Sequence, residues 1–70
     1  MFLAANNLDL RKRRKRLGIS LDELGAELEV DISGISRFER GFRVDLPHGK
    51  GRADYEAALS RIEGRRQGAA

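Results

Sequence analysis

The sequence predicts an all-α domain built as a bundle of four to five short helices. Three observations carry that expectation. Apolar residues recur at spacings of three and four in separate stretches along the chain, the period of helices with one buried face. Asn7, Ser20 and Asp31 precede such stretches, and Gly18, Gly41 and Gly64 follow them, as start and stop signals do. With 70 residues and no cysteine, the chain buries only about 60% of its unfolded surface. Helix packing or dimerisation must stabilise it.

The first helix is expected over residues 8 to 17. Six consecutive basic residues, Arg11 to Arg16, lie inside it, yet at about 100° per residue Leu10, Arg14 and Leu17 share one face. One arginine of the run therefore sits on the apolar side. Asn7 suits the N-cap, Asp9 the first turn, and the cations the C-terminal end, where the helix dipole favours them. The competing reading is a disordered polybasic arm, which needs no leucines at helical spacing.

Ser20 and Glu23 form a capping-box pattern, and Leu21, Leu24 and Leu28 give a second helix its stripe over residues 21 to 28. Asp31 can cap a third helix, residues 32 to 40, with Ile35 and Phe38 inward and Ile32 at the margin. Only Glu29, Val30 and Asp31 separate the two. So short a connection forces the sharp corner of a helix-turn-helix. Gly25 costs about 1 kcal/mol relative to alanine inside a helix, which points to another backbone passing close beside it.

Residues 41 to 51 are expected as a loop. Within it Phe42, Val44 and Leu46 alternate with Arg43 and Asp45, the period of a short half-buried strand. Its apolar side chains either form a dimer surface, pairing across a two-fold axis, or cap the monomer core. Tyr55, Ala58, Leu59 and Ile62 mark a C-terminal helix over residues 52 to 63, with a frayed tail from 64 to 70 in which Arg65 and Arg66 are free.

Composition excludes several function classes. The net charge is +3, with 14 basic and 11 acidic residues, a balance that favours a polyanionic partner. No apolar run reaches the roughly 18 residues of a membrane span, and "MFLAANN" lacks the basic start and apolar length of a signal peptide. A cytoplasmic protein with no membrane partner is expected. His48 is the single histidine, so no metal site and no cofactor are expected, and no nucleophile, base and orienting group converge to suggest catalytic residues.

From Leu10 to Gly41 the string "LRKRRKRLGISLDELGAELEVDISGISRFERG" resembles the Cro and repressor type of helix-turn-helix domain, the Xre family with its lambda-repressor-like fold. Arg14 and Leu17 before "GIS", Leu24 beside Gly25, Val30 in the turn and "ISRFERG" carry the resemblance. It implies one DNA-binding domain over residues 1 to 70, with residues 32 to 40 as recognition helix. It also implies that Arg14 is a buried partner of Glu39, a structural ion pair joining the first helix to the end of the third. Three positions depart from the family pattern. Glu29 stands where a turn glycine is usual, Leu21 where a phosphate-contacting glutamine is frequent, and Gly34 interrupts the recognition helix.

With Ile35 and Phe38 inward, the helical wheel places Ser33, Ser36, Arg37 and Arg40 outward. Arg37 is the first candidate base reader, because arginine can bond guanine O6 and N7 together. Ser33 and Ser36 can reach base edges or phosphates, and Ile32 either meets a thymine methyl or stays in the core margin. Arg40, Arg43, Lys50 and Arg52 are candidate phosphate contacts or solvated charges, and the backbone near Ser20 offers a phosphate site at a helix start. The expected function is a small homodimeric transcriptional repressor of phage or bacterial type that occludes promoters at an inverted-repeat operator in double-stranded DNA. Two alternatives stand beside it. One is an antitoxin gripping a toxin through Phe2, Leu3 or Phe42, and the other is a protein-interaction module of this fold.

Overall fold

The computed structural model describes residues 7–68. Four α-helices follow one another: α1 Leu8–Arg16, α2 Leu21–Leu28, α3 Ile32–Glu39 and α4 Arg52–Gly68, with a 3-10 turn at Pro47–Gly49. One core holds Leu10 of α1, Leu24 and Leu28 of α2, Ile35 and Phe38 of α3, and Tyr55, Ala58, Leu59 and Ile62 of α4, together with Ile19 and Leu46 from the connections. The amphipathic stripes meet there, which leaves the opposite face of each helix to solvent.

The chain enters α1 by a route the cap pattern did not foresee. Asn7 makes no side-chain cap. Its Nδ2 instead donates to Phe38 O at 3.1 Å and its backbone N–H to Glu39 O at 3.1 Å. The buried amide thus satisfies carbonyls at the end of α3, where helices leave unpaired acceptors. At the start of α2 the Ser20 hydroxyl accepts from Glu23 N at 3.1 Å. The reciprocal half of the box is absent, because the Glu23 carboxylate accepts from Arg66 of α4 at 2.5 Å.

The corner between α2 and α3 is closed by a left-handed residue. Glu29 has φ 58° and ψ 43°, and Val30 N–H returns to Gly25 O at 3.1 Å, the long bond of a Schellman turn. A Cβ on Gly25 would lie 3.0 Å from Val30 O and 3.1 Å from the Ile32 side chain. The turn folds back onto α2 at that point, so the glycine admits the following backbone.

The expected strand over 42 to 46 is not formed, and no strand occurs among the described residues. Leu46 is 1% exposed in the core, while Phe42 and Val44 are 66% and 77% exposed. The alternation misleads because Leu46 belongs to the turn that follows. Its N–H donates to Lys50 O at 2.8 Å, and Pro47 packs on Gly34, where a Cβ would come within 2.6 Å of the proline Cγ. Gly34 therefore seats the loop on α3.

Helix α4 runs past the stop expected at Gly64 as far as Gly68, the last described residue. Charge holds the extra turn. Arg61 and Arg65 both bond Glu27, each at 2.6 Å, and Arg66 donates to Leu17 O at 2.7 Å and Gly18 O at 3.2 Å. Arg65 and Arg66 are thus engaged rather than free, and Arg66 supplies donors to carbonyls at the end of α1. The first- and third-helix boundaries fall one residue short of the expected ones, within the usual fraying of helix ends.

Candidate nucleic-acid interface

The tie between α1 and α3 fixes the pose of the candidate reading helix. Arg14 Nε donates to Glu39 Oε2 at 2.8 Å and Nη2 to Oε1 at 3.2 Å, while Nη1 donates to Ile19 O at 2.8 Å. Tyr55 of α4 donates its hydroxyl to the same Glu39 carboxylate. All three side chains are buried. Burial, and then the Glu39 carboxylate, push the Tyr55 phenol well above its usual range, so it remains a donor. For Arg14 burial works against the charged form, but the bonds and charge of Glu39 outweigh it and the pKa rises.

Held this way, α3 turns Gly34, Ile35, Phe38 and Glu39 inward and leaves Ile32, Ser33, Arg37 and Arg40 exposed, with Ser36 half-buried. These five residues form a continuous arc on the helical wheel. Among the described residues Arg37 has no side-chain hydrogen-bond or ion-pair partner, so all five of its N–H donors are available. Ser33 donates its hydroxyl to the Asp31 carboxylate. The Arg40 guanidinium lies 5.5 Å from the centre of the Phe42 ring, a cation–π contact.

The candidate phosphate contacts divide. Arg40 remains available at the end of α3. Arg43 is exposed, with Nε donating to Asp45 O at 3.2 Å. Two others are already engaged. Lys50 donates to Leu28 O at the end of α2, and Arg52 forms an ion pair with Asp9 and donates to Asn7 Oδ1 at 3.0 Å. Each saturates a local acceptor, which weakens its candidacy for DNA. Ser20 sits exposed at the start of α2, as a backbone phosphate site there requires. Leu46, offered as dimer surface, is core, and the toxin-contact candidates Phe2 and Leu3 lie outside the described residues.

Two basic residues of α1 gain a place that sequence periodicity did not assign. A cleft between α1, the start of α2 and α3 is lined by Arg11, Lys15, Ser36 and Arg40 together with Leu21, Asp22 and Ile32, with the Arg14–Glu39 pair below and Arg11 Nε 3.9 Å from Glu39 Oε1. The first-helix wheel already puts Arg11 and Lys15 on one side. Only the packing of α3 against α1 shows which side that is.

The acidity of α2 is largely answered within the fold. Glu27 takes two arginines of α4 and Glu23 a third. The hydrogen bonds of Arg65 and then Arg61 lower the Glu27 pKa to about 2. Asp22 and Glu29, by contrast, line a shallow depression beside Gly25 together with Asp31 and His48. Among the described residues no group of His, Asp or Glu side chains could hold a metal ion, and no helix is long and apolar enough to cross a membrane.

Comparison with curated proteins and with solved structures gives no match. The family model described as helix-turn-helix matches residues 10–47, which take in most of α1, all of α2 and α3, and the loop as far as Pro47. The match covers more than half of the 70 residues and contains the Arg14–Glu39 tie, the left-handed corner and the exposed arc of α3. The chain therefore belongs to the helix-turn-helix family, as a DNA-binding protein of the Cro and Xre type.

Proposed function

We propose that this protein is a cytoplasmic transcriptional repressor that binds an inverted-repeat operator in double-stranded DNA as a homodimer and excludes polymerase from the promoter it covers. The observation that carries the reading is Arg37, exposed at one edge of the α3 arc and unpartnered among the described residues. Entry of this arc into the major groove would direct Arg37 to guanine O6 and N7, a bidentate contact worth about 1–3 kcal/mol of discrimination. Ser33 and Ser36 flank it. Arg40, Arg43 and the start of α2 at Ser20 would hold phosphates and set register, with Arg11 and Lys15 adding to the basic rim. Phe42 and Val44, the most exposed large apolar side chains described, supply the surface for the second protomer.

The test is selection of bound duplexes from a random library at near-physiological salt, with Arg37→Ala in parallel. An enriched inverted repeat with half-site centres about 10 bp apart is expected, and the variant should lose a guanine preference in each half-site. A single unrepeated half-site would overturn the dimer. Absence of any enriched sequence would overturn the repressor reading and direct attention to a protein partner, such as a toxin.

A further inference from the structure

The last turn of α3 is held in two ways. Arg14 and Tyr55 grip the Glu39 side chain. Asn7 grips the backbone, its Nδ2 donating to Phe38 O and its N–H to Glu39 O, both at 3.1 Å. Phe38 and Glu39 lie between Arg37 and Arg40 in the chain, so the backbone grip acts on the two carbonyls that separate the exposed arginines. Asn7 itself is buried and stands 31 residues before Phe38.

The group that orients the Asn7 amide comes from α4. Arg52 Nη1 donates to Asn7 Oδ1 at 3.0 Å and to Asp9 Oδ1 at 3.2 Å, and Nη2 donates to the second Asp9 oxygen. Arg52 Nε lies 3.5 Å from Glu56 Oε2. Two carboxylates thus fix the planar fork, and one N–H of Nη1 is left for the amide. An amide carries its acceptor and its donors on opposite sides, so a donor on Oδ1 turns Nδ2 toward Phe38 O. The same carboxylates would repel a DNA phosphate from Arg52. We infer that Arg52 is a positioning residue for DNA reading: acting through Asn7, it fixes the end of α3 and with it the approach of Arg37 and Arg40 to the groove. The inference rests on the proposed major-groove reading, in which contacting side chains must be placed to within about 0.5 Å. It brings α4, which lies beyond the matched residues 10–47, into the recognition of sequence.

The test measures affinity of the full chain for its selected operator and for a scrambled duplex over a salt series, at a temperature where every variant is folded. The variants are Arg52→Lys, Asn7→Ala and the two together. Lysine keeps the charge that a phosphate would use but lacks the fork. Arg52 is half exposed, so its lysine variant is expected to fold and carries the test by itself if Asn7→Ala does not. The ratio of operator to scrambled affinity should fall about tenfold in each single variant, by weakening the Arg37 contact. It should fall no further in the double variant, where the same linkage is already broken, and the salt slope should stay that of the wild type. A lower melting temperature with an unchanged ratio would reduce the linkage to a structural one and overturn the inference. So would losses that add in the double variant. A wild-type ratio in Arg52→Lys, with Arg52→Ala weakening both duplexes and lowering the salt slope by about 1, would overturn it in favour of a phosphate contact. These outcomes leave the repressor reading intact, whereas a wild-type protein that enriches no operator would overturn both.

Discussion

Arg14 and Glu39 lie 25 residues apart, yet their side chains meet through two hydrogen bonds of 2.8 and 3.2 Å in the interior between α1 and α3. Tyr55 bonds the same carboxylate and Ile19 O accepts from the guanidinium, so no buried side-chain nitrogen or oxygen of the pair lacks a partner. A buried pair in this condition is costly to break, since the surviving Glu39 charge would keep only the Tyr55 hydroxyl and the Arg11 guanidinium at 3.9 Å. Arg14→Ala should therefore cost about 3–5 kcal/mol, whereas Lys12→Ala, on the exposed face of the same helix, should cost less than about 0.5 kcal/mol. Thermal unfolding of the two variants checks this, and equal melting temperatures would remove any special role from Arg14.

Gly34 makes a prediction of unexpected sign. In a helix, Gly→Ala ordinarily gains about 1 kcal/mol. Here the new methyl would meet Pro47 Cγ at 2.6 Å, and overpacking of that kind costs about 1–3 kcal/mol. Gly34→Ala should destabilise the wild type but stabilise a Pro47→Ala background. Denaturant titration of the four proteins in the cycle reads the sign reversal directly, and a stabilising Gly34→Ala in both backgrounds would refute the close contact.

Glu29 holds the corner before α3 at φ 58°. A left-handed conformation costs an ordinary residue about 1–2 kcal/mol, while glycine's greater freedom when unfolded returns about 0.5–1 kcal/mol of that gain. Glu29→Gly is expected to raise stability by roughly 0.5–1 kcal/mol, the difference of those two terms. An equilibrium denaturation midpoint below that of the wild type would contradict it. The same change removes an acidic charge beside Asp31, so binding to non-specific DNA should tighten at low salt.

Glu27 links acid stability to the α2–α4 packing. Its pKa falls from 4.5 to about 2 because Arg65 and Arg61 hydrogen-bond the carboxylate. A group whose folded pKa is depressed stabilises the fold above its unfolded pKa, and that contribution disappears as pH falls through the folded value. The Glu27 contribution should thus be complete above about pH 4.5 and lost toward pH 2. Relative to wild type, Glu27→Gln should be less stable at pH 6 and converge with it near pH 2. Parallel curves of stability against pH across that interval would show that Glu27 does not carry the effect.

The elements of this fold were legible because their signals are local. Leu10 with Leu17, Leu24 with Leu28, and Ile35 with Phe38 repeat at the helical period, and a three-residue connector leaves α2 and α3 little choice but a corner. The outward placement of Ser33, Arg37 and Arg40 follows from the same wheel once Ile35 and Phe38 are buried. Other features depend on partners far away in the chain. The sequence alone could not show that Asn7 would bond the end of α3 rather than cap α1, or that Arg61, Arg65 and Arg66 would extend α4 by engaging Glu27, Glu23 and the end of α1.

By itself, then, the sequence determined an all-helical chain with a sharp helix corner and an exposed arc on α3, because periodicity and capping act over a few residues. Tertiary packing decided the rest. It buried Leu46 against the expected strand alternation, fitted Pro47 onto Gly34, committed Lys50 and Arg52 to internal acceptors, and turned Arg11 and Lys15 toward the α3 cleft. Each of those outcomes depends on which charges and carbonyls folding brings within hydrogen-bond reach, and local sequence carries no information about that.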